Sequence, residues 1–186
     1  MQIYDLEKHH QEIADLYFGD EIFAYPTDTV FGIGGNPQSS IAAQKIIKLK
    51  HRNPNKGLIV LAAEFEQIEI YLSDKLNLDD KQKIWRKSLE KPTTFIFNSS
   101  GNAAKYVEIN GKIAIRLSAN KFIQKLCKIF NGAIISTSAN LSGKSTLQDS
   151  SEIKATFPDL AIISGTCEAY QPSRIIDFAT GEIIRK

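Results

Sequence analysis

The sequence contains few of the residues that build metal centres and disulfide frameworks. Among 186 residues there are only two cysteines and three histidines. Cys127 and Cys167 lie far apart and form no CxxC pair, so we expect two buried thiols and no disulfide. The histidines, at positions 9, 10 and 51, are not spaced to bring two onto one helix face. The sequence therefore predicts no tightly bound metal.

Long apolar runs and a strong net charge are also absent from the sequence. No apolar stretch approaches the length of a membrane span, and the initial segment MQIYDLEKHH lacks the apolar core of a signal peptide. The formal net charge of +2 is too small to predict nucleic-acid binding by itself. We expect an ordered cytoplasmic protein without membrane contact, in which residues 1–186 form a single domain.

Apolar periodicity predicts strands and helices that alternate through most of the chain, which is typical of an α/β layer with a largely covered sheet. The predicted helices cover residues 5–18, a segment beginning at Ser39 or Ser40, and residues 64–72, 79–88, 120–130 and 151–157. The predicted strands cover residues 22–25, 58–62, 93–97, 113–117, 133–135 and 160–164. A final hairpin pairs residues 174–178 with 182–184, and residues 26–37 are predicted to be turns.

A basic segment, KLKHRNPNKG at residues 48–57, follows the second predicted helix. It places Lys50, Arg52 and Lys56 close to Pro54. Because proline fixes its own φ and lacks an N–H group, a helix ending near Lys50 cannot continue, and we expect the cations to be displayed from an irregular loop. Such a loop suits a polyanion, although a cluster of this kind taken alone is more often a solvated surface.

Two common phosphate-binding motifs are approached in the sequence, and both fail. Glycines at 32, 34 and 35 begin like a dinucleotide-binding fingerprint, but Pro37 occupies the place of the last glycine. The segment SANLSGKS at 138–145 has serine where a Walker A loop begins with glycine, and no convincing Walker B carboxylate follows. We therefore reject a Rossmann dinucleotide site and a P-loop ATPase.

Hydroxyl side chains instead follow the ends of predicted strands. Thr27 and Thr29 follow one strand, and the segment STSAN at 136–140 ends another. Taken singly, such residues are more often turn or cap residues than site residues. Arg116 differs, because a guanidinium in an apolar strand must have a partner or serve a site. With no histidine suitably placed as a base for a serine, these residues favour electrostatic positioning of phosphates and carboxylates over covalent catalysis.

In order and spacing, six segments closely resemble the YrdC-type threonylcarbamoyl-AMP synthase family, in its short bacterial form. They are YPTDTVFGIGGNP, KLKHRNPNKGLIVLA, KPTTFIF, IAIRLS, IISTSANLSG and PSRIIDFATGEIIR. The most specific marks are the K-x-R of Lys50 and Arg52 and the S-x-N of Ser138 and Asn140. The resemblance implies a twisted mixed sheet flanked by helices, with a basic concave face.

The resemblance also implies a reaction and its site. L-threonine, bicarbonate and ATP, the last with Mg²⁺, would give threonylcarbamoyl-adenylate and pyrophosphate, and a tRNA threonylcarbamoyltransferase complex would act downstream. The nucleotide and its phosphates would be held by Lys50, Arg52, Lys56, Ser138, Asn140 and Thr146, of which Lys50, Arg52, Ser138 and Asn140 would be catalytic. The threonine side would be lined by Thr27, Thr29, Arg116, Ser136 and Ser173.

Two other functions remain open. The same basic face could bind double-stranded RNA or tRNA without catalysis. YrdC-like domains also occur within larger proteins of carbamoyl-phosphate processing, although the length of this chain and its lack of zinc-finger cysteines argue against that role.

Overall fold

The computed structural model describes residues 2–167 and 173–186. Its helices are α1 (His10–Phe18), α2 (Ser40–Leu49), α3 (Leu78–Glu90), α4 (Lys121–Phe130) and α5 (Ser150–Thr156). Its strands are β1 (Ile3–Tyr4), β2 (Phe23–Tyr25), β3 (Gly32–Gly34), β4 (Ile59–Ala62), β5 (Thr93–Asn98), β6 (Glu108–Ile109), β7 (Lys112–Leu117), β8 (Ile134–Ser138), β9 (Ala161–Ile163), β10 (Arg174–Asp177) and β11 (Ile183–Arg185). Pro172, which opens the segment PSRIIDFATGEIIR, lies outside the described residues.

The strands form one mixed sheet, which contains eleven strands within the described part of the chain. Their order is β1-β9-β2-β3-β8-β4-β7-β5-β10-β11, and β6 pairs with β7. At the centre, β4 runs parallel to β7 and antiparallel to β8. The predicted α/β fold with a mixed sheet and flanking helices is confirmed, as is the terminal hairpin of β10 and β11.

Helices cover both faces of this sheet. Along β4, Val60 and Ala62 belong to the larger apolar cluster, whereas Leu61 between them belongs to the smaller one. Because neighbouring strand residues point to opposite faces, the two clusters lie on opposite sides of the sheet. The larger cluster includes residues of α2 and α3, and the smaller includes residues of α1 and α4. No helix in residues 2–167 and 173–186 combines the length and apolar character needed to cross a membrane.

Several local predictions were wrong. The segment 64–72 forms two 3₁₀ turns instead of an α-helix, and the Gln67 side chain accepts from the Ala63 and Glu64 amides at 2.9 and 3.1 Å to close the first turn. Helix α1 begins at residue 10 instead of 5, and β1 and β6, of two residues each, are too short to show a pattern. Cys127 is buried as predicted, but Cys167 is only half-buried.

The predicted turn region 26–37 contains strand β3, with the sequence Gly-Ile-Gly. Glycine is needed here for close packing: a Cβ at Gly34 would lie 2.6 Å from both the Ile135 carbonyl oxygen and the Tyr25 ring. Glycine usually disfavours strands, and this close approach cannot be read from the sequence.

Candidate active site

A cavity of about 130 Å³ lies where β3, β4, β7 and β8 meet. It is lined by Thr27, Thr29, Val30, Phe31, Gly32, Arg52, Ile59, Arg116, Ser136, Thr137, Ser138, Ser173 and Arg185. The structure therefore brings together the predicted site residues Thr27, Thr29, Arg52, Arg116, Ser136, Ser138 and Ser173. Four other predicted residues do not line it: Lys50, Lys56, Asn140 and Thr146. Lys56 is exposed on the 3₁₀ turn Pro54–Lys56, and Thr146 is half-buried in the loop after β8.

Strand register places Arg116 on the cavity side of the sheet. Ile113, Ile115 and Leu117 of β7 all pack into the larger apolar cluster, so Arg116 points to the opposite face, as the alternation predicted. On the neighbouring strands, Arg116 lies beside Leu61 of β4 and Thr94 of β5.

Arg116 is only 5% exposed, and its guanidinium is held on two sides. Its Nη2 forms an ion pair with Asp28 Oδ1, and its Nη1 donates to Thr29 Oγ1 at 3.1 Å. Asp28 is thus the partner of Arg116, which the sequence analysis expected but could not identify. The third nitrogen of the guanidinium, Arg116 Nε, is buried and has no hydrogen-bond partner among the described residues. Since an unpaired buried donor is costly, this atom suits an anionic ligand.

The hydroxyls of Thr27 and Thr29 form an ordered chain behind Arg116. Thr27 Oγ1 donates to the Val30 carbonyl at 2.8 Å and accepts from the Thr29 amide at 3.0 Å. The contact of 2.9 Å between the two hydroxyls therefore uses the Thr29 proton, which leaves Thr29 Oγ1 free to accept from Arg116. Both hydroxyls orient the guanidinium, and neither has a spare proton in this arrangement.

Arg52 reaches the opposite wall because of the way α2 ends. His51 has the left-handed φ of 49°, and the Arg52 amide donates to the Ile47 carbonyl at 3.0 Å. Together with the bond from the His51 amide to the Lys48 carbonyl, at 3.2 Å, this is a Schellman motif. The Arg52 Nη2 then donates to the Gly57 carbonyl at 2.8 Å, which holds the side chain against its own loop.

Sequence reasoning missed Arg185 and Thr94. Arg185 comes from β11, where its Nη2 donates to the Ser173 carbonyl at 2.6 Å. The Ser173 hydroxyl in turn contacts the buried Thr94 hydroxyl at 2.8 Å. Extending the predicted hairpin by one residue would have placed Arg185 opposite Ile175, where the structure has it.

Three arginines, at positions 52, 116 and 185, line this small cavity and give it a positive charge. Burial lowers the pKa of Arg52, and the nearby Arg185 lowers it further. Burial likewise lowers the pKa of Arg185, with a second contribution from Arg116. The arginines therefore repel one another. An anion bound between them would reduce this repulsion and offset the desolvation cost of the buried guanidinium groups.

Lys50 contradicts the prediction for the basic loop. It caps the C-terminus of α2, and the residue is only 1% exposed. Its Nζ donates to the Ser138 carbonyl, to the Asn140 carbonyl at 2.6 Å and to Asn140 Oδ1 at 3.1 Å. Burial, and secondly the charge of Arg52, lower the pKa of Lys50 to about 7, whereas the three acceptors around its Nζ favour the protonated form and oppose this shift. The expectation that Lys50 is displayed from irregular backbone is wrong, because the helix cap turns its side chain inward.

A larger groove of about 970 Å³ lies beside Asp28. Asp28 lines it, as do Lys125 and Glu7, which form an ion pair with each other. We place the candidate site in the smaller cavity because Arg52, Arg116 and Arg185 all line it. Within the described ranges, no group of three or more His, Cys, Asp or Glu side chains could hold a metal ion.

A helix-flanked mixed sheet with a small cavity lined by arginines and hydroxyls defines an α/β protein with a positively charged candidate site. The chain belongs to the Sua5–YciO–YrdC family, whose model carries the description "Telomere recombination" and matches residues 16–186.

Near-full-length relatives support this membership. The threonylcarbamoyl-AMP synthase of Dichelobacter nodosus (strain VCS1703A) is 35% identical over 184 residues, which cover 98% of this chain and 96% of that protein. The threonylcarbamoyl-AMP synthase of Enterobacter sp. (strain 638) is 32% identical over 180 residues, or 94% of each chain. The fold is also similar to that of P. abyssi Sua5 complexed with L-threonine, with a TM-score of 0.83 and 23% identity. That match covers 98% of this chain and 55% of the P. abyssi chain, and it shows the fold alone.

Proposed function

We propose that this chain is a threonylcarbamoyl-AMP synthase. It makes threonylcarbamoyl-adenylate and pyrophosphate from L-threonine, bicarbonate and ATP, for the threonylcarbamoyladenosine modification of tRNA. The observation that carries the proposal is the arginine-lined cavity, where Arg116 Nε is buried without a partner among residues 2–167 and 173–186, in a chain whose near-full-length relatives have that activity as their name.

Threonine occupies the enclosed cavity. Pockets for drug-sized ligands usually measure about 300–1,000 Å³. A cavity of about 130 Å³ is well below that range and suits a small amino acid better than a nucleotide. The threonine carboxylate lies against Arg116, whose Nε then gains its missing acceptor. Around it, Ser136 and Ser173 supply polar contacts, and the Thr27–Thr29 hydroxyl chain fixes the direction of the guanidinium.

ATP extends outward from this cavity along the basic segment. Arg52 and Ser138 line the boundary, and Lys56 and Thr146 lie on the more exposed loops beyond it. The threonine amine combines with bicarbonate, with loss of water, to give a carbamate, whose oxygen attacks the α-phosphorus of ATP as pyrophosphate leaves. Both the attacking group and the leaving group are anionic, so positive charge fixed in place lowers the barrier without a covalent intermediate on the protein. Mg²⁺ enters as the companion of ATP and not as a resident ion.

The product is a mixed anhydride, which water would hydrolyse, so a tRNA threonylcarbamoyltransferase complex must consume it promptly. We place the reaction in the cytoplasm and assign it to residues 1–186 acting as one domain.

The decisive experiment measures pyrophosphate release from ATP while threonine and bicarbonate are omitted one at a time. Release is expected only when all three are present with Mg²⁺. The rival function, an RNA-binding module without catalysis, predicts no release and an RNA affinity that falls steeply with salt and ignores threonine. A synthase should instead be stabilised against thermal unfolding by threonine and ATP together.

A further inference from the structure

The Lys50 ammonium has three N–H donors, and all three already have acceptors. These are the carbonyls of Ser138 and Asn140 and the side-chain oxygen Asn140 Oδ1. With the residue 1% exposed, no donor is left to reach a nucleotide phosphate. A phosphate contact would require breaking one of these bonds inside a buried site, where a lost hydrogen bond is costly.

The hydrogen-bonding groups of the Asn140 side chain also all have partners. Its Oδ1 accepts from Lys50 Nζ and from Ser138 Oγ, the latter at 2.7 Å. Its Nδ2 donates to the Leu141 carbonyl at 3.0 Å and to the Lys144 carbonyl at 2.7 Å. An amide side chain offers two donors and one oxygen with two lone pairs, so every site on Asn140 is filled.

Backbone bonds close the same loop against α2. The Ser142 amide donates to the Lys50 carbonyl at 3.0 Å, and the Leu147 amide donates to the Ala139 carbonyl at 2.9 Å. Lys50 therefore contacts the segment after β8 through its side chain and through its main chain.

We propose that Lys50 and Asn140 are positioning residues that fix the end of β8, and that neither donates a hydrogen bond to the nucleotide. What they position is Ser138, which lines the cavity. Since the Ser138 proton is given to Asn140 Oδ1, the hydroxyl oxygen faces its surroundings as an acceptor. This inference rests on the proposed synthase reaction and separates the residues that touch ATP from those that hold them in place.

The test compares Lys50→Met, Asn140→Ala and the double variant with Arg52→Met, a matched loss of a cation that does line the cavity. ATP binding is titrated without threonine, and pyrophosphate release gives kcat and KM. Arg52→Met should weaken ATP binding about tenfold or more, whereas Lys50→Met should change it by less than about threefold and lower kcat instead. The double variant should lose about as much kcat as the worse single variant, because the two residues act in one network.

ATP binding to Lys50→Met as weak as to Arg52→Met, or losses that multiply in the double variant, would overturn the proposal. Amide hydrogen exchange on the unmodified protein gives a second test that does not depend on variants folding or on activity. Without nucleotide, the Ser142 and Leu147 amides should exchange slowly. Fast exchange that slows only when ATP is added would refute the proposal that Lys50 and Asn140 fix this loop before ATP binds. If the unmodified protein shows slow exchange but binds no ATP, the proposed function is refuted, whereas the positioning role of Lys50 and Asn140 in the loop is supported.

Discussion

Replacing Arg116 with glutamine tests the division of the cavity into a threonine side and a nucleotide side. The variant removes the buried Nε, which has no partner in the described part of the chain, and the charge that we propose binds the threonine carboxylate. A hydrogen bond to a charged group contributes about 1.5–3 kcal/mol, so threonine binding should weaken about 10- to 150-fold. ATP binding, measured without threonine, should change by less than about threefold.

The same substitution also affects stability, which must be separated from binding. It leaves the Asp28 carboxylate, with 17% of its side chain exposed, without its ion-pair partner. Breaking a fully buried pair costs about 3–5 kcal/mol, and the partial exposure of Asp28 reduces this to about 1–3 kcal/mol. The matched control is Arg116→Gln combined with Asp28→Asn, which removes both charges. It should recover part of the lost stability while threonine binding stays weak.

Both affinities should be measured by titration on variants shown to be folded by their thermal unfolding transitions. If ATP affinity falls for Arg116→Gln while threonine affinity is unchanged, Arg116 belongs to the phosphate site. If the double variant recovers threonine binding together with stability, the arginine acts only through the scaffold. Either result would refute the threonine assignment.

Three further predictions concern pH, metal and the end of α2. Because the pKa of Lys50 falls from 10.5 to about 7 on folding, the unfolded chain binds more protons in that window. The free energy of unfolding, relative to Lys50→Met, should therefore rise between these pH values, and a flat difference would contradict the shift. Activity should survive extensive chelation followed by addition of Mg²⁺ with ATP, whereas a metal retained stoichiometrically would argue for a resident site. His51→Gly should leave activity intact and raise the free energy of unfolding by about 0 to 1 kcal/mol, because His51 has a φ of 49°, which glycine adopts more easily. His51→Val should lower the free energy of unfolding, because a β-branched residue disfavours this φ.

Sequence periodicity was sufficient to predict which face of a strand a side chain lies on, where burial alone determines this. The alternation in β7 correctly separated Arg116 from its apolar neighbours, because a strand has only two faces. The charge of Arg116 correctly required a partner, but Asp28 lies 88 positions away and comes from a loop whose path depends on the whole sheet. Strand β3 was missed for a related reason, since its glycines are explained by a neighbouring strand and a tyrosine ring that only the fold brings close.

The basic segment shows how two cations of one motif come to lie in different environments. Lys50 and Arg52 are two positions apart, and the sequence suggested that they share one task. The Schellman motif separates them: His51, in the left-handed region, reverses the chain between the two side chains. Lys50, still on the helix, turns inward to the carbonyls at the end of β8, whereas Arg52 emerges against the cavity. Glycine usually occupies the position of His51, so the sequence lacked the usual signal for this turn. The K-x-R spacing thus combines a buried residue that holds the neighbouring loop with a cation that lines the site, and the left-handed residue between them makes both possible.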